Sequence, residues 1–186
     1  MSNRRKRAFL ALLAITAPII CLAAERSELS HLQGRTITRS IRAWFRGAQF
    51  AGDEGVVMQQ HRNDCGAACL KMVLADHGIE SDISDLYREL RTSERGTSLL
   101  DLRLVATKAG LPSRSWVLGI AEMRDVPLPA IAFVKGNHFV VVKRLLDWDV
   151  LEVDDPALGK LRWPLTSFCK VWSGEVLIFD SSWSPA

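Results

Sequence analysis

Gln59-Gln60-His61-Arg62-Asn63-Asp64-Cys65-Gly66-Ala67-Ala68-Cys69-Leu70 runs from polar residues into small ones and then into the apolar series Leu70, Met72, Val73 and Leu74. The pattern reads as a loop feeding directly into a helix, with Cys65 at the helix start. A thiol in that position sits against the unpaired N–H groups and the positive end of the helix dipole, which favour the reactive thiolate. Asp64 is a candidate N-cap, because a short carboxylate can accept the orphan N–H bonds. The small residues after Cys65 let another layer of the protein, or a substrate backbone, come close. A cysteine at a helix start can equally be a buried small residue. The functional reading therefore needs a base and an orienting group further along the chain.

The helix should run to about His77 and stop at Gly78. Ser81-Asp82 opens a second helix with Leu86, Tyr87 and Leu90 on its apolar side. Ser98-Leu99-Leu100-Asp101 has the Ser-x-x-acid pattern of a capping box and opens a third, with Leu100, Leu104 and Val105 toward the core and Gly110 at its end. Upstream, Gly52-Asp53-Glu54-Gly55 reads as a turn and Val56-Val57-Met58 as a short strand delivering Gln59. After Gly110 the period changes. Strands are expected at Ser115–Leu118, Ala130–Val134, His138–Val142, Val150–Val153, Leu161–Trp163 and Val176–Phe179, with Gly136-Asn137 as a hairpin turn. Helices first and strands second predict an α+β fold, N-terminal helices packed on a C-terminal antiparallel sheet.

Two strand ends carry the missing groups. His138 opens its Val-rich strand, and Asp155 follows Val150-Leu151-Glu152-Val153-Asp154 and precedes Pro156. Alone, the first reads as a structural histidine and the second as a turn residue. In a meander their strands are neighbours, and ends around one turn place the two side chains within hydrogen-bond reach. The set then forms a unit: Cys65 as nucleophile, His138 as base and later acid, Asp155 holding the imidazole, and Gln59 with the Cys65 N–H as donors to the oxyanion. Gln60 and Asp154 compete with their neighbours for two of these roles. The six-residue spacing to Cys65 favours Gln59, and the position before Pro favours Asp155.

The order Gln, Cys, His, Asp is that of papain-like cysteine peptidases. Four segments resemble the boxes of one group among them, the C39 or double-glycine, bacteriocin-processing peptidases. Gln59 to Leu70 resembles the Cys box, His138-Phe139-Val140-Val141-Val142 the His box, and Asp155-Pro156-Ala157-Leu158-Gly159 the Asp-Pro box. Gly96-Thr97-Ser98-Leu99-Leu100-Asp101-Leu102 resembles the middle helix, and Trp172 with the closing strand fits the C-terminal end. The resemblance implies a papain-like fold over residues 55–180, a triad of Cys65, His138 and Asp155, and Gln59 in the oxyanion hole. It implies precursor peptides cut after Gly-Gly as substrates, held in a channel too narrow for a Cβ. The best-known members of the group are N-terminal domains of ABC exporters. This sequence lacks the Gly-x-x-x-x-Gly-Lys phosphate loop of such exporters and is more similar to standalone, exported members found with fimbrial or functional-amyloid secretion systems. Components of such a system become expected partners. A non-catalytic substrate-binding or chaperone module is the alternative class, and an amine in place of water as acyl acceptor is a second alternative.

The N-terminal part explains the charge. Arg4, Arg5, Lys6 and Arg7 precede an apolar run from Ala8 to about Ala24, the plan of a secretory signal. The run is about 16 residues against the roughly 20 of a spanning helix, which favours a cleaved signal over an anchor. Those four cations outweigh the formal +3 of the whole chain, so the remainder lies near neutrality, without the electrostatic footprint of nucleic-acid binding. A periplasmic location follows as an expectation. Residues 25–54 form an approach segment in which Arg35, Arg39, Arg42 and Arg46 share a helix face, read as solvated, with contact to anionic lipid or to an acidic partner as the alternatives. Residues 181–186 are a tail. Four cysteines are too few and too unevenly spaced for a disulfide framework. Cys69 and Cys169 read as buried small residues, with a bond between them the alternative. His61 and His77 have no ligand-like spacing with the cysteines, so no metal and no cofactor are expected.

Overall fold

The computed structural model describes residues 34–61, 63–90, 96–134, 138–180 and 182. The expected signal segment, the expected turn at Gly136-Asn137 and all of the tail except Ser182 lie outside them. Two compact units divide the chain, residues 1–39 and 40–186. Residues 34–45 are helical (α1), and the second unit holds every other element.

Three helices follow a first strand: β1 (Gln49–Gly52), then α2 (Cys65–Asp76), α3 (Ile83–Glu89) and α4 (Leu99–Lys108). The strands β2 (Arg114–Val117), β3 (Ala130–Val134), β4 (His138–Asp147), β5 (Val150–Asp155), β6 (Gly159–Pro164) and β7 (Trp172–Ile178) come after them, with a short helix α5 (Leu165–Phe168) before β7. Together they make a seven-stranded sheet in the order β1-β6-β5-β4-β3-β7-β2, and every neighbouring pair is antiparallel. The α+β reading holds.

Strand alternation divides the interior in two. Ala130, Ala132, Val140, Val142, Leu151 and Val153 face a core closed by Trp163, Phe168 and Trp172. Ile131, Phe139, Val141 and Leu177 face the opposite way, onto α2, α3 and α4. Trp163 meets Phe168 edge-on at 5.4 Å, and Phe168 stacks on Trp172 at 6.0 Å, geometries that aromatic quadrupoles favour.

Local signals set the helix ends. Asp82 caps α3 by accepting from the Ser84 N–H at 2.8 Å. Ser98 and Asp101 form the expected reciprocal capping box of α4. Gly78 takes φ 72° immediately beyond α2.

The structure corrects several details. On α4 the buried residues are Leu102, Val105 and Ala106, whereas Leu100 and Leu104 are more than half exposed. The capping box fixes the helix phase, and the 3.6-residue period then brings the set at 102, 105 and 106 onto the sheet. Val56 to Met58 is not a strand. Val56 and Val57 pack against the α2 layer, and the Val57 N–H meets Met72 Sδ at 3.3 Å. The edge of the sheet beside β6 is instead filled by β1, from the approach segment. Cys69 belongs to the α2 core and Cys169 packs against the core on the other face. The sheet lies between them, and both are free thiols.

Candidate active site

Cys65 is the first residue of α2, and its side chain is buried. Gly66 explains how the helix gets so close to its neighbours. A Cβ at that position would overlap Thr97 Cγ2, with Leu102 and Phe139 in van der Waals contact at 3.5 Å. Ala67 and Ala68 are almost wholly buried. The small residues after the cysteine are therefore a packing requirement of the helical layer.

Asp64 occupies the N-cap position, but its carboxylate caps nothing on the helix. Oδ2 accepts from the main-chain N–H groups of Gln60 at 2.9 Å and His61 at 3.0 Å. This corrects the capping expectation: the carboxylate folds the preceding loop back onto the helix start. The Gln59 N–H, in turn, donates to the carbonyl of Pro156 at 2.9 Å. One chain of hydrogen bonds thus links the Cys65 helix, the glutamine loop and the Asp155-Pro156 turn. Gln59 is half-buried, whereas Gln60 is exposed. The Gln59 Nε2 donates to its own loop at His61 O, 2.9 Å. An amide nitrogen carries two protons, so that bond orients the group and leaves the second N–H.

His138 opens β4, opposite Val134 of β3. Asp155 closes β5, where Asp154 pairs with Val141. Val140 thus stands across from Asp155, and His138, two residues earlier, shares its face. The one-residue alternation also separates the two candidate carboxylates. Asp154 points to the helical side, where Lys143 joins Asp76 and lies 4.0 Å from Asp154. Burial raises the pKa of Asp154, against the pull of Lys143 and Lys160.

Asp155 is fully buried. Its Oδ1 lies 2.7 Å from His138 Nε2 and accepts from the N–H groups of Ala157 at 2.7 Å and Leu158 at 3.2 Å. Its Oδ2 faces Arg46 Nη1 at 3.5 Å. Nε2 is therefore engaged, and Nδ1 is the ring atom left to face Cys65, the second side chain whose influence raises the imidazole pKa. The consequence for the proton is large. Burial, the largest single influence, pulls the His138 pKa down. The hydrogen bonds and charges of Asp155 and Cys65 together outweigh it and raise the pKa from 6.5 to about 9. The imidazole is an imidazolium at neutral pH. Cys69, one turn further along α2, is driven the other way: burial first, then the charges around Cys65 and Asp155, raise its pKa and keep it a thiol.

The structure therefore brings Cys65, His138 and Asp155 together and holds Gln59 on the adjoining loop by its main chain. Sequence reading missed Arg46. Its place in an arginine stripe suggested a solvated side chain, and only the tertiary fold brings it to Asp155. A cavity of about 280 Å³ beside the loop is lined by Val57, Met58, Gln59, Ala68, Ile83 and Tyr87 among others. A larger one of about 680 Å³, bordered by Trp44, Leu146, Val150 and Pro164, opens at the far end of β5 and β6, away from Cys65.

Comparison with known proteins agrees with this geometry. LagD, the lactococcin-G-processing and transport ATP-binding protein of Lactococcus lactis subsp. lactis, is 35% identical over 128 residues, 66% of this chain and 18% of that protein. FapD of Pseudomonas aeruginosa, a probable functional amyloid protease, is 30% identical over 132 residues, covering 65% of this chain and 58% of that one. The chain thus spans less than two thirds of either relative. Among solved structures, a double glycine motif protease from an AMS/PCAT transporter, in complex with its leader peptide, aligns with a TM-score of 0.64 at 29% identity, over 67% of this chain and 89% of that one. The fold is thus the papain-like fold of these peptidase domains. The model of the peptidase C39 family matches residues 53–184, which span the glutamine loop, α2, the His138 strand and the Asp155 turn, and the chain belongs to the peptidase C39 family of cysteine peptidases.

Proposed function

We propose that this protein hydrolyses a peptide bond in an exported peptide, or in a component of a fimbrial or functional-amyloid secretion system, with Cys65 as nucleophile. The thiolate attacks the scissile carbonyl carbon, a C–S bond forms, and the carbonyl oxygen takes the negative charge. The second N–H of Gln59 and the main-chain N–H of Cys65 are the donors for that oxyanion. His138 gives its proton to the leaving amine as the C–N bond breaks. It then takes a proton from the water that attacks the thioester, and the thiolate is released. Asp155 keeps the ring oriented and balances its charge through both stages.

The observation that carries this reading is the imidazole of His138, held through Nε2 by Asp155 at 2.7 Å, with Cys65 as the other side chain that acts on its proton. A Gly-Gly pair before the cleaved bond is the preferred sequence; the AMS/PCAT relative was crystallised with a leader peptide. The FapD relative, a probable functional amyloid protease, supports a substrate tied to a functional amyloid. Residues 1–24, basic and then apolar, are assigned the task of carrying the chain out of the cytoplasm.

The test is cleavage of synthetic leader peptides ending in Gly-Gly, followed by mass spectrometry. The wild type should release two fragments summing to the peptide plus one water. Cys65→Ala should cleave nothing while still binding, and Gln59→Ala should lose about 10²–10³ in kcat. Equal binding by wild type and Cys65→Ala, with no cleavage by either across Gly-Gly and other peptides, would favour a binding module instead.

A further inference from the structure

We propose that Arg46, which lies before the part of the chain matched by the family model, is a positioning residue of the active site that acts through Asp155. The inference rests on the peptidase reading above.

The residue is built into place from both ends. It follows α1, where the Arg46 N–H donates to Ala43 O at 3.0 Å and the Gly47 N–H to Trp44 O at 2.8 Å. Gly47 takes φ 74° and lies so close to Ser167 that a Cβ would stand 2.9 Å from its Oγ. The Arg46 carbonyl accepts from Trp163 Nε1 at 3.2 Å, and Trp163 is fully buried. From this anchored main chain the guanidinium reaches Asp155 Oδ2 at 3.5 Å. Its side chain is 34% exposed and that of Asp155 is 0% exposed.

Each oxygen of the carboxylate then has a separate task. Oδ1 serves His138 and the two main-chain N–H groups of the turn, and Oδ2 faces Arg46. Among the described residues, the titratable groups that meet here are Cys65 from α2, His138 from β4, Asp155 from β5 and Arg46 from the turn after α1. Two cations share one carboxylate. Arg46 takes up part of the negative charge that would otherwise hold the imidazolium proton, so His138 can release that proton to a leaving amine more readily. The family match begins at residue 53, so this partner is supplied by the chain's own N-terminal approach segment.

The test reads Cys65 directly and needs no substrate. The full-length protein is treated with iodoacetamide from pH 4 to pH 11, and alkylation at Cys65 is quantified by peptide mass spectrometry. In the wild type, the alkylation rate should show an upper inflection near pH 9, where His138 loses its proton. Arg46→Met should move that upper inflection upward by about 0.5–1 pH unit, a three- to tenfold change in the proton equilibrium, the size expected for one partly exposed charge a few ångströms further off. Arg46→Gln, which keeps a donor but not the charge, should move it in the same direction, and Arg46→Lys should restore the wild-type position. On a cleaved peptide, kcat should fall in Arg46→Met while KM stays within about twofold. An unchanged or lowered upper inflection in both neutral variants, with wild-type behaviour otherwise intact, would overturn the role of Arg46. A wild-type profile in which Cys65 alkylation shows no inflection from His138 would instead overturn the pairing of these two residues, and with it the peptidase reading itself.

Discussion

At the scale of single residues, the fold leaves its clearest mark on the proton of His138. With its pKa raised from 6.5 to about 9 by Asp155 and Cys65 against burial, the alkaline limb of kcat/KM should fall with an apparent pKa near 9. Asp155→Asn removes one of the groups that raise the imidazolium pKa, so the same limb should move to lower pH, with a loss of about 10²–10⁴ in kcat. A pH–rate profile of the two proteins on one peptide checks both statements. A second residue-level prediction concerns Gly66. Its replacement by Ala should cost about 1–3 kcal/mol through overlap with Thr97 Cγ2. Thr97→Ser, which removes that methyl, should recover much of the loss in the double variant. Urea titration of the four proteins measures the coupling. Both the cysteine and the run of small residues after it were legible in the sequence because a tight contact leaves a compositional trace. The true task of Asp64 was not, since a carboxylate one residue before a helix looks the same whether it caps forward or bonds backward.

Among the elements, the antiparallel pair β4 and β5 does the positioning. Its register sets His138 and Asp155 on one face and Asp154 on the other, so the choice between adjacent carboxylates is made by a two-residue period. That period was available from the sequence, and the Pro after Asp155 pointed to the same residue. β1 could not be read in advance, because Gln49-Phe50-Ala51-Gly52 has no strong strand signal and pairs only through the already formed β6. Its contact is close nonetheless. Gly159, which pairs with Asp155 across the turn, takes φ 98°, and a Cβ there would meet Gly52 O at 2.7 Å and Phe50 Cε2 at 2.9 Å, besides Asp53. Gly159→Ala should therefore cost roughly 2–4 kcal/mol and lower activity by shifting the turn that carries Asp155. A fall in thermal midpoint together with kcat, at unchanged Cys65 content, is the expected result. The phase of α4 was misjudged from sequence because several leucines lie near its start, and only the capping box decides which of them turn inward.

For the whole molecule, fold class was legible and the arrangement of the two cores was not. Long Val- and Ile-rich strands announce a sheet buried on both faces, but the sequence does not say what covers the second face. That cover comes from α5, from Trp163 and Trp172, and from Ala43 and Ala48 near the end of the approach segment. The proton on His138 also couples the site to global stability. A folded pKa of about 9 against an unfolded value of 6.5 means the stabilisation is fully present below pH 6.5 and is lost as pH rises through about 9. Urea midpoints at pH 6 and pH 10 should differ by the equivalent of roughly 1–3 kcal/mol from this group, and His138→Asn should narrow the gap.

The sheet has one hydrophobic body on each side, and the reacting groups meet where its strands run out. Sulfur arrives with the helical slab, while imidazole and carboxylate belong to the strands. Any disturbance that lets the slab slip would carry the Cys65 sulfur off and leave His138 and Asp155 still bonded to each other. Catalysis would then fail as a hinge pin fails, abruptly and early, with most of the backbone still in place.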